Sequence, residues 1–148
     1  MSRRAVNGAF AGGVAALAWA AQQPLDKRVF GSTYDDVELL GKLVTRGRLW
    51  RPAGLAFHVL NGMAFGAAFA LAKAALPGPP KARALGVTMA ENFGLWPLGR
   101  FADRFHPARR DLPRLRGNRR ALAQATWRHA LFGVVLGRLE GELNGEGR

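Results

Sequence analysis

The 148-residue chain contains no cysteine, and this absence removes several kinds of site at once. Without cysteine the chain forms no disulfide, offers no thiolate ligand to zinc and has no thiol nucleophile. It also lacks a G-x-S-x-G elbow, a P-loop, an H-E-x-x-H pair and a carboxylate pair of the kind used in acid–base catalysis. The sequence therefore points to no enzyme class, no cofactor and no metal.

Acidic residues are scarce. Ten Asp and Glu face 22 Lys and Arg, which gives a formal net charge of +12. A charge of this sign and size implies an anionic partner, either nucleic acid or acidic lipid headgroups. Fourteen of the basic residues lie in two segments, six in residues 24–52 and eight in residues 100–120.

Charge is absent from long apolar runs. Pro52 to Ala72 has no charged side chain, and a helix of this length spans about 30 Å, the thickness of the hydrocarbon core of a bilayer. Ala5 to Leu25 is also uncharged, and two weaker apolar runs follow. The sequence predicts one all-α domain over residues 1–148, a four-helix transmembrane bundle. Its spans cover about residues 5–23, 53–75, 82–99 and 121–139.

The connections between the spans differ in length. In the first, Ser32 and Thr33 precede Asp35 and Asp36, as at a capped helix N-terminus. Apolar residues at helical spacing then predict a short amphipathic helix, either at the headgroup level or packed on the end of the bundle. The Pro-rich turn at residues 77–80 predicts that the second and third spans are antiparallel neighbours. Residues 100–120 are predicted to be a loop with His106 at its surface.

Two spans share a motif. His58 to Gly66 is HVLNGMAFG and His129 to Gly137 is HALFGVVLG, so both fit H-x-L-x-G-x-x-x-G. Residues four apart share a helical face, and small residues there let helices approach closely. The match indicates either two related helical hairpins or chance, since Gly and Ala are abundant. The predicted helix-packing glycines, in the bundle or in a homo-oligomer, are Gly8, Gly12, Gly62, Gly66, Gly133 and Gly137.

Charged residues also lie inside two predicted spans. Glu91 and Arg128 are near the midpoints of the third and fourth spans, where an unpaired charge costs roughly 2.5–3.5 kcal/mol or more, so we expect them to pair. The predicted intramembrane cluster is His58, Asn61, Glu91, Asn92, Arg128 and His129. Its role is either to fasten weak helices together or to hold a proton or small ligand. Arg128 beside His129 argues against a metal.

Charge asymmetry predicts a topology. Cytoplasmic connections carry an excess of Lys and Arg, so residues 24–52 and 100–120 are placed in the cytoplasm and both termini outside. Arg3 and Arg4 oppose this orientation. The predicted location is the inner (plasma) membrane, with several passes. An alternative for the N-terminus is a secretory signal cleaved near Ala18 to Ala20.

Four segments carry a resemblance to a known group. They are the glycine-bearing first span, the His and Gly pattern of the second, ENFGLWPLGRFADRFHP across the third and ATWRHALFGVVLGRLE in the fourth. Together they resemble the small four-span bacterial inner-membrane proteins of the YagU-like kind, whose domain has no known function. The resemblance implies an integral membrane location and no established chemistry.

Three functions fit these features. The favoured one is an integral membrane protein whose basic loops contact anionic lipid headgroups and whose polar cluster is mainly structural. A second is a small transporter, a proton relay or a membrane enzyme using His58, Glu91 and His129. A third is a soluble, basic helical protein that binds nucleic acid through residues 100–120. Of the two anionic partners, nucleic acid is the less favoured.

Overall fold

A computed structural model of the chain describes residues 2–145, and all regular structure in this range is helical. The predicted all-α class is therefore confirmed. The α-helices are α1 (Arg3–Phe30), α2 (Asp36–Val44), α3 (Trp50–Ala72), α4 (Pro80–Leu95), α5 (Gly99–Phe105) and α6 (Arg119–Asn144). Short 3-10 turns, Lys73–Ala75 and Trp96–Leu98, follow α3 and α4.

The centre of the bundle is α1, which packs between α3 and α6, while α4 packs on α6 and α2 packs on α3. Asn7, near the start of α1, hydrogen-bonds to the Leu143 carbonyl at the end of α6. Asp26, near the end of α1, binds Arg128 in the first half of α6. These contacts make α1 antiparallel to α6, and glycine contacts described below make it antiparallel to α3.

Contacts between α3 and α4 are sparse, although only residues 73–79 separate them. The prediction that these two helices pack as neighbours is wrong. A short turn fixes where one helix ends and the next begins, but α3 finds its packing surface on α1 and α4 finds its surface on α6. The gap that remains between α3 and α4 opens into the cavity described below.

Two helical segments extend past their predicted limits. The first span continues through Pro24 to Phe30 and ends at Gly31, whose left-handed backbone (φ 57°) lets its N–H bond to the Lys27 carbonyl. Residues 99–105, mostly within the predicted loop, form α5. That helix ends at Phe105, and the next residue, His106, has extended backbone because it precedes Pro107, which disfavours the helical region at this position.

The N-cap of α2 is Asp35, not Ser32 or Thr33. The Asp35 carboxylate accepts a hydrogen bond of 3.0 Å from the Glu38 backbone N–H. Burial works against ionisation of Asp35, but hydrogen bonds from the Lys27 ammonium and the Glu38 N–H hold its pKa below the usual value. Lys27 of α1 therefore stabilises the negative charge of Asp35 at the start of α2.

Two glycines bring α2 against α3. A Cβ at Gly41 would lie 1.9 Å from the Trp50 carbonyl oxygen, and one at Gly54 would lie 1.9 Å from the Val37 carbonyl oxygen. Of the two predicted positions for the short helix, the structure thus adopts the one packed on the bundle.

The two long connections contact each other at one end of the bundle. His106 is buried, and its Nε2–H donates to the Leu39 carbonyl at 2.9 Å, so the prediction of a surface histidine is wrong. Asp111 lies 3.9 Å from the Lys42 ammonium. The basic residues of both connections are consequently gathered at this end.

Large apolar side chains lie mostly outside the bundle and polar ones inside it. The six largest fully buried side chains in residues 2–145 include one apolar residue, Leu136; the others are Arg128, Gln124, Glu140, Thr88 and Asp26. On the outside, Phe10 is 61% exposed, Leu60 58% and Val134 57%. Alanine and glycine fill most of the space between helices.

In residues 2–145 one helix, α3 with its 3-10 extension, is long and apolar enough to cross a membrane by length and composition alone. Only 28% of its most apolar window is buried inside the protein. A core helix of a soluble protein would bury most of such a window.

Candidate functional site

A cavity of about 380 Å³ occupies the space between α3 and α4. Every α-helix contributes to its wall. Its polar lining residues are Asp36, His58, Asn61, Glu91, Asn92 and His129. Five of these six belong to the predicted intramembrane cluster, so the structure brings that set together around one space. Asp36 is an addition that the sequence did not suggest.

Arg128, the sixth predicted member, lies beside the cavity without lining it. Its guanidinium is fully buried and forms two bonds with Asp26, Nε to Oδ2 at 2.6 Å and one terminal nitrogen to Oδ1 at 2.7 Å. The other terminal nitrogen donates to Asp36 Oδ2 at 2.7 Å. A bidentate pair of this kind combines strong hydrogen bonds with a fixed orientation.

The predicted pair between Glu91 and Arg128 is therefore wrong. The two carboxylates that bind Arg128 come from outside the predicted spans, since Asp26 follows Pro24 and Asp36 lies in the first connection. Sequence reasoning correctly required a partner for a buried arginine, but it ended the first span before Asp26. A first span continued through Pro24 would have placed Asp26 within reach of Arg128.

Neutral groups complete the Arg128 cluster. Gln124 Nε2 and Gln22 Nε2 each donate to Asp26 at 2.6 Å, and Trp19 Nε1 donates to Asp36 at 3.1 Å. The Tyr34 carbonyl accepts from Arg128 at 3.1 Å. Burial, reinforced by the neighbouring Asp36 carboxylate, raises the pKa of Tyr34 well above its usual value, so its hydroxyl stays protonated and donates to Asp36.

Trp19 contacts the histidines of both copies of the repeated motif. Its ring lies edge-on to His58, with centroids 5.2 Å apart, and edge-on to His129, with centroids 4.7 Å apart. The two histidines occupy equivalent positions of H-x-L-x-G-x-x-x-G, on helices that flank α1. Common ancestry of the two hairpins stays a prediction.

Several polar atoms around the cavity have hydrogen-bonding capacity to spare. His129 Nδ1 donates to the Ala125 carbonyl at 2.8 Å, so Nε2 is the ring nitrogen that this bond leaves over. His58 Nε2 is buried without a hydrogen bond in the part of the chain that the structure describes. The Glu91 carboxylate is half-buried, and His129 is the neighbouring group that interacts with it electrostatically. No group of three His, Asp or Glu in that range is arranged to hold a metal ion.

A second buried ion pair lies at the opposite end of the bundle. Lys73 Nζ and Glu140 Oε2 are 2.7 Å apart, and their side chains are almost fully buried. Asn144 Nδ2 donates to Glu140 Oε1 at 2.6 Å. The sequence did not suggest this pair, because the two residues lie at the limits of the second and fourth predicted spans. It shows that α3 and α6 run in the same direction.

Five of the six predicted helix-packing glycines lie at two helix crossings. A Cβ at Gly8 would lie 2.4 Å from the Gly66 carbonyl oxygen, and one at Gly12 would lie 2.0 Å from the Gly62 carbonyl oxygen. Gly133 faces α4, where its Cβ would meet Thr88 Oγ1 at 2.4 Å. Gly137 is half-buried on α6. The first and second glycine pairs thus serve α1 and α3 within one chain.

Comparison of the chain with models of known protein families, with curated proteins and with solved structures finds no significant match. The resemblance to YagU-like proteins therefore stays a prediction.

Proposed function

We propose that the protein is an integral membrane protein in which α1, α3, α4 and α6 cross the bilayer together. The single observation that carries this proposal is the distribution of side chains: Arg128, Asp26, Gln124 and Glu140 are buried, while large apolar residues cover the outside. In water this arrangement would expose apolar surface and desolvate charge, which is unfavourable on both counts. In a bilayer the same outside meets hydrocarbon.

The lengths of the helices are compatible with this proposal. At about 1.5 Å per residue, α1, α3 and α6 extend roughly 42, 34 and 39 Å, and α4 about 24 Å before its 3-10 turn. Hydropathy counted one helix at a time selects α3 and not α1, α4 or α6 in residues 2–145, and in α6 the guanidinium of Arg128 contributes to this result. Inside the bundle, Asp26 and Asp36 pair with that guanidinium, so the lipid does not meet its charge.

Residues at the end of the bundle that holds both long connections support a contact with anionic headgroups. On α5 the Arg100 guanidinium lies 5.0 Å from the Phe101 ring centroid, and that of Arg104 lies 5.2 Å from the Phe105 ring centroid. Both phenylalanines are exposed, and further arginines line the adjacent groove. Exposed phenylalanine beside arginine suits the boundary between acyl chains and phosphates. We place this basic end in the cytoplasm.

Membrane extraction tests the proposal. Protein carrying a C-terminal tag should stay with the membrane fraction through washes with high salt and with alkaline carbonate. Neither wash removes a protein whose apolar surface is inserted in the hydrocarbon of the bilayer. The measurement is an immunoblot of pellet and supernatant. Release by salt would mean that arginines alone hold the protein on the membrane, and the hypothesis of a soluble, basic protein that binds nucleic acid would replace ours.

Lipid headgroup recognition has its own test. Adding phosphatidylglycerol to the detergent-purified protein should raise its melting temperature more than phosphatidylcholine does, and Arg100→Gln with Arg104→Gln should remove most of this difference. Each arginine near an anionic surface contributes about 1 kcal/mol. The matched control is Arg138→Gln with Arg3→Gln, which removes as much charge at exposed positions near the end of α6 and the start of α1.

The reason for this control is that Arg138 is exposed on α6, close to the end that holds Lys73 and Glu140, and is paired with Glu142. Equal loss of the lipid effect in both double variants would show that total charge, rather than the α5 surface, attracts the lipid. A DNA duplex that stabilises the protein as strongly as phosphatidylglycerol does, with a steep dependence on salt, would favour nucleic acid as the partner.

A further inference from the structure

Two carboxylates and two imidazoles are among the side chains that line the cavity between α3 and α4. Glu91 offers a half-buried carboxylate whose electrostatic neighbour is His129, and the His129 ring has Nε2 left over beyond the bond of its Nδ1 to Ala125. His58 contributes a buried Nε2 without a hydrogen bond in residues 2–145. Unsatisfied buried polar atoms carry a free-energy cost that a ligand with hydrogen-bond donors would relieve.

The charge around the cavity is negative although the chain is strongly basic. No Lys or Arg appears among the residues that line it in the described part of the chain. Arg128, which pairs with the lining residue Asp36, is shared between Asp26 and Asp36, so that group of three has one negative charge in excess. Glu91, on α4, adds a second carboxylate to the lining beside Asp36 of α2.

Aromatic rings form much of the apolar wall. Trp19 and Phe132 come from α1 and α6, Phe65 comes from α3, and Tyr34 and Trp96 lie towards the connections. Aromatic rings attract cations that approach their faces, and tryptophan does so most strongly. A volume of about 380 Å³ falls within the range of small-molecule sites.

We propose that this cavity binds a small organic ammonium ion. The Glu91 carboxylate and the two imidazoles accept hydrogen bonds from the ammonium group, and the apolar part of the ligand packs against the aromatic wall. The inference does not rest on membrane insertion, because the packing of the helices creates the cavity. It goes beyond the proposed function, which assigns this space no ligand.

Three probes of similar size and different charge test the proposal on the purified full-length protein. They are 2-phenylethylammonium, 2-phenylethanol and 3-phenylpropanoate, and the signals are tryptophan fluorescence and titration calorimetry. Because Trp19 and Trp96 line the cavity, occupancy should change the emission. The cation should bind about tenfold or more tightly than the neutral alcohol, and the anion more weakly than either.

Variants of Glu91 separate recognition of charge from simple filling of the cavity. Glu91→Gln should weaken binding of the cation about tenfold and leave the alcohol unchanged, whereas Glu91→Asp should keep the preference for the cation. The control is Glu142→Gln, which removes the same charge at an exposed position on α6. Melting curves of every variant show whether the fold is intact.

Three results would overturn the proposal. The first is the absence of saturable binding by the cation to the intact protein. The second is equal affinity of wild type and folded Glu91→Gln for the cation, because charge recognition at this cavity would then have no source. Binding of all three probes with similar affinity would likewise leave only an apolar cavity. Failure of the membrane extraction test would affect none of these outcomes, so the two proposals fail separately.

Discussion

Replacing Arg128 with methionine should lower the free energy of unfolding by about 3–5 kcal/mol. Methionine is similar in length to the arginine stem, so the main loss is the guanidinium. Asp26 and Asp36 would then remain buried next to each other without a cation, and two neighbouring carboxylates disfavour joint ionisation. The measurement is reversible unfolding of the detergent-solubilised protein by urea, followed by circular dichroism.

A second substitution separates the loss of the ion pair from a general effect of changing a core residue. Asp26→Asn in the Arg128→Met background should recover part of the lost stability, because it removes one of the stranded charges while keeping the shape of the side chain. Glu91→Gln in the same background should recover nothing, since Glu91 is not a partner of Arg128. Recovery by Glu91→Gln, and none by Asp26→Asn, would mean that the originally predicted pair was correct.

The Arg128 cluster shows which part of the site could be predicted from sequence. A buried arginine in an apolar helix demands a counter-charge, and this requirement holds without knowledge of the fold. The identity of the counter-charge depends on where α1 ends. Proline usually interrupts a helix, but α1 continues through Pro24 and carries Asp26 to the level of Arg128 on α6. Tertiary packing determines where α1 ends, and no local sequence pattern predicts this position.

The cavity, too, could be predicted only in part. His58, Asn61, Glu91, Asn92 and His129 could be grouped in advance, because each is a polar residue in an apolar helix and such residues face the interior of a bundle. The space itself could not be predicted. It exists because α3 and α4 do not pack together, whereas the short turn between them indicated the opposite. Connection length constrains the distance between helix ends but not the packing of the helices along their length.

The close approach of α1 and α3 predicts a loss of stability when Gly12 is replaced. Gly12→Ala should destabilise the protein by about 1–3 kcal/mol or more, because the added Cβ would lie 2.0 Å from the Gly62 carbonyl oxygen and 3.0 Å from the Gly66 Cα. Backbone atoms cannot rotate away, so the two helices must separate. Gly86→Ala on α4, where nothing lies within 4 Å, should instead stabilise by roughly 0.5–1 kcal/mol. Urea unfolding of both variants measures these changes, and equal effects of the two substitutions would contradict the glycine contact between α1 and α3.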